Sequence, residues 1–257
     1  MRVTGDQILG IDVGGSGVKG ALVDISEGEL LTKRYKVRTL RPATPPSIVS
    51  QIQHIIDYHE WEGLVGVGFP AVIDNGIVHS ASNIHKDWIE TDIMTLLNDS
   101  EHHDIYVVND ADAAGLAEIH FGAGKGKTGK ILLLTIGTGI GSALFLDGNL
   151  VTNTELGHLY LKGQRKVAEK YVSNAARERE ELDWKDWAKR FDEYLMHVNA
   201  LFYPDLIILG GGISKHFEKY GKYFTLQEKI VPAQLKNNAG IVGAALFAET
   251  VSNPIHF

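Results

Sequence analysis

The sequence of 257 residues contains no cysteine. That absence excludes disulfide bonds, thiolate zinc sites and a cysteine nucleophile. No apolar run approaches the roughly 20 residues of a membrane-spanning helix, so we expect no membrane partner. The formal net charge of -7 disfavours a general nucleic-acid-binding protein, although a local basic patch is compatible with a polyanion. A strand pattern begins near Gln7 without a charged-then-apolar leader, which predicts a cytoplasmic protein.

Hydrophobic residues make up 44% of the chain and charged residues 22%, which is ordinary for a globular protein. Its length suffices for two compact lobes. Short apolar runs ending at turn residues predict strands at Gln7–Val13, Val18–Ile25, Leu30–Val37, Leu64–Phe69, Ile105–Val108 and Leu206–Leu209. Helical spacing or flanking turns predict helices around Ile48–Ile56, at Ala111–His120, within Lys166–Arg179, around Trp187–Phe202 and at Ile241–Ala248, the last capped at Asn237–Gly240.

The alternation of strands and helices predicts an α/β protein. We expect a small lobe at residues 1–110 and a large lobe at residues 111–238. We also expect the C-terminal helix at residues 239–257 to pack back on the small lobe.

A glycine-rich hairpin occurs twice. The segment Ile131–Leu144 resembles Ile8–Leu22, with Gly137-Thr-Gly-Ile in the place of Gly15-Ser-Gly-Val. Such a repeat indicates a duplicated fold whose halves face a central cleft. A chance similarity between two tight turns is the alternative.

Three glycine-rich turns follow predicted strands and are candidate phosphate-binding elements. Glycine lets backbone N–H groups approach an anion because no Cβ intervenes. A tight turn without a ligand is the alternative for each, and the first is neither a Walker loop nor a dinucleotide fingerprint, since a strand follows it. The third lies before a predicted helix, whose N-terminus would favour an anion. The candidates are Asp12, Gly14, Gly15, Ser16, Gly17, Lys19, Thr135, Gly137, Thr138, Gly139, Gly210, Gly211 and Gly212.

Two further groups carry acid–base or hydrogen-bonding chemistry. Asp110 and Asp112 lie between a buried strand and a helix, where a carboxylate serves either as a helix N-cap or as a general base for a hydroxyl. Glu155 and His158 lie three residues apart, and both side chains can bind adjacent sugar hydroxyls. An incidental pair on a surface hairpin is the alternative for the second group.

Five motifs resemble, in the same order, those of the ROK family (repressors, open reading frames and sugar kinases). They are Asp12–Lys19, Asn109–Glu118, Gly137–Gly141, Glu155–His158 and Gly210–Ser214. The resemblance covers nearly the whole chain. It is strongest to the branch that uses polyphosphate to phosphorylate glucose, in the stretches Asn83–Trp88, Asn109–Gly124, Asn153–His158, Asp183–Lys189, Tyr203–Asp205 and Ala239–Ala244.

This resemblance implies an actin/hexokinase-like (ribonuclease H-like) duplicated two-lobe fold with an active-site cleft between the lobes. It implies a cytoplasmic homodimeric hexose kinase that phosphorylates the 6-hydroxyl of glucose, with polyphosphate or ATP as donor and Mg²⁺ as cofactor. Asp110 would be the base. The other sugar hydroxyls would be held by Asn83, Asn109, Glu155 and His158. The glycine turns, with Asp12, Lys19 and Thr138, would hold the donor and its Mg²⁺.

One departure from the family concerns zinc. Many members bind zinc through the histidine of the Glu-x-x-His motif and three following cysteines. Here His158 is present, but Lys162–Ala176 occupies that region without a cysteine. We therefore expect no zinc, which agrees with the polyphosphate-using branch, since that branch also lacks those cysteines.

Three rival functions share these motifs. An ATP-specific hexose kinase would use the same residues. A transcription regulator would need an N-terminal helix-turn-helix, for which the early first strand leaves no room. An intact Asp110 argues against a non-catalytic sugar-binding protein. A polyphosphate donor needs a basic track, and the candidates are Lys125, Lys127, Lys130, Arg165, Lys166 and Lys170, unless these form only a solvated face.

Overall fold

The structure, a computed structural model, describes residues 6–82, 84–98 and 103–253. Its strands are β1 Gln7–Gly14, β2 Gly17–Asp24, β3 Glu29–Leu30, β4 Tyr35–Val37, β5 Gly63–Phe69, β6 Ile73–Asp74, β7 Ile77–Val78, β8 His103–Asn109, β9 Lys130–Ile136, β10 Ile140–Leu146, β11 Asn149–Val151, β12 Leu206–Gly210 and β13 Ile230–Pro232. Its α-helices are α1 Pro45–Tyr58, α2 Ile93–Leu97, α3 Asp110–Phe121, α4 Glu169–Val172, α5 Asn174–Arg179, α6 Trp184–Phe202, α7 Phe217–Tyr220 and α8 Ala239–Ser252. Short 3₁₀ turns occupy Lys86–Trp88, Leu156–His158, Ser214–His216, Gly221–Tyr223, Gln227–Lys229 and Lys236–Asn238.

Two predicted elements are interrupted by local hydrogen bonds from side chains. The predicted strand Leu30–Val37 is two short strands, because the Thr32 hydroxyl accepts the N–H of Leu22 where a strand would offer a backbone carbonyl. The predicted helix within Lys166–Arg179 is two short helices. Between them the Ser173 hydroxyl accepts the N–H of Ala176 and starts α5 as an N-cap.

The chain divides into two compact units. One runs to Ala117 and resumes at Asn238, and the other is Glu118–Asn237. The division thus falls inside α3 and not at the predicted boundary after residue 110. The first half of α3 packs closely against α8, since a Cβ on Gly243 would collide with the carbonyl of Ala113. That contact keeps residues 110–117 with the first unit.

The first unit contains a sheet in the order β3-β2-β1-β5-β8, with β4 also paired to β2. Strands β1 and β2 form an antiparallel hairpin, while β1, β5 and β8 run parallel. Helix α1 covers the face to which Gly20 points, and it buries Ile48, Ile52, Ile55 and Ile56 as its spacing predicted. Helix α8 lies on the opposite face, where Gly10 leaves room for the Ile241 carbonyl. Helix α8 begins at Ala239, within the predicted start Asn237–Gly240, and Asn238 at its N-cap position makes no side-chain capping bond.

The second unit contains a sheet in the order β11-β10-β9-β12-β13. Strands β9 and β10 form an antiparallel hairpin, and β9, β12 and β13 run parallel. Helix α6 buries a face that includes Trp187, Phe191, Leu195 and Val198, as its spacing predicted. A fully buried Glu118 accepts N–H groups from residues 123, 234 and 235.

The two sheets share one topology. Each begins with an antiparallel hairpin, carries a short strand outside it, and continues with two parallel strands on the other side. The repeated hairpin of the sequence therefore marks the start of each sheet. Across the described ranges 6–82, 84–98 and 103–253, no helix has both the length and the apolar character needed to span a membrane.

Candidate active site

The first glycine turn joins β1 to β2. In this hairpin Asp12 pairs with Lys19, and their side chains form an ion pair with Oδ2 and Nζ 2.8 Å apart. Both are partly exposed, at 17% and 24%. Gly15 and Ser16 at the tip are exposed. The turn thus presents backbone N–H groups to solvent beside one cation and one carboxylate.

The Asp12 carboxylate also faces the start of α8. A Cβ on Gly240, in the first turn of that helix, would lie 3.0 Å from the carboxyl carbon of Asp12. The N-terminus of a helix carries partial positive charge, which stabilises a carboxylate there. Asp12 is therefore held between Lys19 and the helix terminus.

The structure tests the helix-cap role considered for the aspartates of Asn109–Asp112. The side-chain oxygen of Asn109 accepts the N–H groups of Ala111 and Asp112 at 2.9 and 3.1 Å, so Asn109 is the N-cap of α3. Its amide nitrogen donates to the carbonyl of Ala71 at 3.0 Å. Asp110 is the first residue of the helix and is partly exposed, while Asp112 is buried. The N-cap role considered for Asp110 and Asp112 is therefore wrong.

Asn83, a predicted sugar ligand, lies outside the described residues. The loop on its C-terminal side is anchored by Trp88, which is fully buried. The Trp88 indole N–H donates to the carbonyl of Ala43 at 3.0 Å, and its ring packs edge-on against Phe69. The end of β5 and this loop are therefore joined by one aromatic contact.

The two glycine segments of the second unit lie side by side. Gly210 pairs with Thr135 between the parallel strands β12 and β9. Gly211 has a positive φ of 76°, and a Cβ there would come within 2.5 Å of the Ile136 carbonyl oxygen, so only glycine fits. No heavy atom lies within 4 Å of a Cβ built on Gly137 or Gly212, so both backbones face open space. The exposed Thr138 lies at the tip of the β9–β10 turn.

The expected helix N-terminus after Gly210–Gly212 is absent from the described chain. A 3₁₀ turn at Ser214–His216 follows the glycines, and α7 is only four residues long. The hydroxyl and N–H of Ser214 instead bond to the carbonyl of Gly211. Any anion at this segment would meet turn N–H groups without a long helix behind them.

Glu155 and His158 are presented by a loop that is tied to β10. The buried Ser142 hydroxyl donates to the Thr154 carbonyl at 2.6 Å and accepts the N–H of Leu156 at 3.0 Å. The Glu155 carboxylate lies 3.6 Å from Nδ1 of His158. Burial raises the pKa of Glu155 above its usual range, opposed by His158 and reinforced by Glu169. The Glu155–His158 pair is thus half-buried on a loop that Ser142 fixes, unlike an incidental pair on a surface hairpin.

Glu169 belongs to the same site, although sequence reasoning missed it. Its side chain is 7% exposed, its Oε2 accepts the N–H of Ile140 at 3.3 Å, and its Oε1 lies 2.6 Å from the Lys170 amine. A Cβ on Gly139 would collide with Oε2, which explains the glycine. Glu169 therefore fixes the β9–β10 turn. It stands in a charged stretch without an apolar period, so no sequence pattern distinguished it from a surface residue.

The two predicted basic groups lie at different ends of the second unit. Lys125, Lys127 and Lys130, here called the 125–130 lysines, precede or begin β9, whereas the glycine turn follows the end of that strand. A strand of this length separates them by about 20 Å. In the other group Lys170 pairs with Glu169, next to the turn. Lys170 of the second group thus adjoins the candidate phosphate-binding glycines of this unit.

Among the residues that the structure describes, no cluster of three or more histidine, cysteine, aspartate or glutamate side chains is arranged to hold a metal ion. Asp12, at the end of β1, is the candidate carboxylate next to a glycine turn of the first unit.

The ROK family model matches residues 8–189 of the chain, and the chain belongs to the ROK family. It is 42% identical over 239 residues to a polyphosphate glucokinase from Mycobacterium tuberculosis, covering 93% of this chain and 89% of that protein.

Two solved structures share the fold. The inorganic polyphosphate/ATP-glucomannokinase from Arthrobacter sp. strain KM superposes with a TM-score of 0.91 at 45% identity, covering 95% of this chain and 99% of that one. A ROK family glucokinase from Streptomyces griseus, solved with glucose and AMPPNP, gives a TM-score of 0.76 at 24% identity, with 95% and 99% covered. The fold is thus the α/β fold of ROK sugar kinases.

Proposed function

We propose that this protein is a kinase that transfers the terminal phosphoryl group of inorganic polyphosphate to the 6-hydroxyl of glucose. The observation that carries the proposal is the similarity, over nearly the whole chain, to a polyphosphate glucokinase and a polyphosphate/ATP-glucomannokinase. The name of the second relative includes ATP beside polyphosphate, so we propose ATP as a further donor.

Asp110 is the proposed general base. It directly follows β8 as the first residue of α3, and the cap of that helix is supplied by its neighbour Asn109. As the sugar oxygen forms its bond to the terminal phosphorus, the bond from that phosphorus to the bridging oxygen breaks. The hydroxyl proton passes to the Asp110 carboxylate, and a chain shorter by one phosphate leaves with the bridging electrons.

Glu155 and His158 are proposed to hold other sugar hydroxyls. The loop that carries them is fixed by Ser142, so their side chains need little reordering on binding. Asn109 has its amide oxygen occupied by the helix cap and one amide hydrogen directed at Ala71. It would therefore contact the sugar only through its second amide hydrogen. Asn83 stays a prediction.

The donor phosphates are assigned to the glycine turns, with Lys19 and Thr138 beside them. Magnesium would neutralise charge on those phosphates. Asp12 fits such an ion, since Mg²⁺ in kinases is bound through one or two carboxylates together with substrate phosphates and water. Asp12 already pairs with Lys19, which would keep a cation next to the carboxylate before the donor arrives.

The test is a coupled assay of glucose 6-phosphate formation with long-chain polyphosphate and, separately, with ATP, each with and without Mg²⁺. We expect product from both donors and none after chelation of the metal. Product from ATP alone at low salt would replace the proposal with an ATP-dependent hexose kinase. Product from neither donor, with glucose still bound, would favour a sugar-binding regulator. The cytoplasmic location, the homodimer and the absence of zinc stay predictions.

A further inference from the structure

The segment between Glu29 and Asp57 contains five lysines and arginines and no acidic residue, in a chain with a net charge of -7. Its cations are Lys33, Arg34, Lys36, Arg38 and Arg41. We propose that residues 33–41, here called the basic edge, bind the part of a polyphosphate chain that extends beyond the phosphoryl group being transferred. The inference rests on polyphosphate being the donor.

The basic edge is aligned with the first glycine turn by strand pairing. Within the sheet Asp12 pairs with Lys19, and Lys19 pairs with Lys36 of β4. Paired residues point to the same face, so the three side chains form one row across three strands. Arg38 is exposed and follows β4 directly, two residues after Lys36.

Direct contacts join the basic edge to the turn itself. The Arg41 guanidinium donates to the carbonyl of Gly15 at 3.0 Å, and the Thr39 hydroxyl donates to the carbonyl of Gly14 at 2.7 Å. The stem of Lys36 lies over Gly17, where a Cβ would collide with it. The cations therefore begin at the turn that is assigned to the donor phosphates.

Four of the five cations of the basic edge have no acidic partner within the part of the chain that the structure describes. In the described parts of the chain, no carboxylate lies within ion-pair distance of Lys33, Lys36, Arg38 or Arg41, and all four are exposed. Elsewhere Lys19 pairs with Asp12 and Lys170 pairs with Glu169. A row of uncompensated cations attracts a polyanion locally, whatever the net charge of the protein.

The side chains favour a bare polyphosphate over a nucleotide or a single-stranded nucleic acid. Those ligands bind through phosphate contacts together with base stacking on exposed aromatic rings. The one aromatic residue of the basic edge, Tyr35, is stacked on Tyr58 with ring centroids 3.7 Å apart, and its hydroxyl lies 3.0 Å from His54. The basic edge thus offers charge without a free aromatic platform.

The test is the double variant Lys36→Met/Arg38→Met. Methionine keeps an unbranched apolar stem over Gly17 while removing the charge. The control is Lys185→Met/Lys219→Met, which makes the same charge change at two exposed lysines outside the candidate site. The Michaelis constant is measured for long-chain polyphosphate, tripolyphosphate, ATP and glucose, over a range of salt.

We expect the variant to raise the Michaelis constant for long-chain polyphosphate about 3- to 20-fold, since each exposed ion pair contributes modestly. The constants for tripolyphosphate, ATP and glucose should change less than about twofold. The salt dependence with long-chain polyphosphate should become shallower, because fewer charges are screened. The control should match the unmodified protein.

An unchanged constant for long-chain polyphosphate overturns the inference. An equal rise for every donor also overturns it, because that result means a distorted glycine turn. If polyphosphate yields no product with the unmodified protein, the donor assignment itself fails, and that failure is visible without any variant. Loss of single-stranded DNA binding in the variant, with polyphosphate use intact, would reassign the basic edge to nucleic acid.

Discussion

Asn109 and Asp110 are adjacent, but Asn109 caps α3 whereas Asp110 is proposed as the general base, and two substitutions separate these roles. Asn109→Ala removes the acceptor for two helix N–H groups and the donor to the buried Ala71 carbonyl. Loss of an N-cap costs about 1 kcal/mol, and a buried carbonyl left without its donor costs about 1–3 kcal/mol. The sum of about 2–4 kcal/mol should lower the melting temperature by about 5–15 °C.

Asp110→Asn preserves the cap and the size of the side chain. It removes one negative charge from the first turn of α3, worth about 0.3–1 kcal/mol through the helix dipole. As the loss of a general base, it should lower turnover by a factor of about 10² to 10⁴. Its melting temperature should stay within about 3 °C of the unmodified protein.

Both variants are measured by thermal unfolding and by single-turnover kinetics at saturating glucose. Asp110→Asn should retain glucose binding, which titration calorimetry checks. Near-normal turnover in a folded Asp110→Asn protein would refute the base assignment. An unchanged melting temperature for Asn109→Ala would refute the assignment of the α3 cap to Asn109.

Three further predictions follow from the site and its packing. Burial raises the pKa of Glu155, so the native protein binds the proton of this carboxyl more readily than the unfolded protein does. The free energy of unfolding should therefore fall as pH rises from about 4.5 through the raised pKa. Urea unfolding of Glu155→Gln at a series of pH values should lack this part of the pH dependence. Gly243→Ala should cost about 1–3 kcal/mol or more by collision with Ala113, whereas Gly137→Ala, which meets nothing within 4 Å, should stay within about 0.5 kcal/mol by the same measurement. Replacing all three 125–130 lysines with alanine should leave the Michaelis constant for polyphosphate within about twofold of that of the unmodified protein. A larger rise would show that these lysines form the basic track for polyphosphate.

Most of the secondary structure could be predicted from the spacing of apolar residues and from glycines at turns. The helix with isoleucines at positions 48, 52, 55 and 56 and the hairpins around both glycine turns lie where the pattern predicted them. The interruptions came from single hydroxyl groups, Thr32 and Ser173, whose bonding partners depend on the folded chain. The small β6–β7 hairpin was missed because each strand has only two residues.

The site was predicted less completely than the fold. Motif resemblance named the glycine turns and Asp110, but spacing alone could not tell which residue of Asn109–Asp112 caps the helix. Glu169 and the basic edge were missed for a common reason: charged residues lack a periodic signal until strand pairing or a neighbouring glycine shows what they face. Lys36 became informative only when the sheet register set it beside Lys19.

The packing of α8 has a consequence for how the protein is made. This helix covers one face of the sheet of the first unit, with Gly10 and Gly66 admitting its backbone, yet it is synthesised only after the whole second unit. Glu118–Asn237 lies between the two parts of that unit in the chain, so the second unit emerges from the ribosome complete while the first still shows an uncovered apolar face. During translation, that face therefore stays open to aggregation for longer than the rest of the sheet, until residues 239–252 arrive.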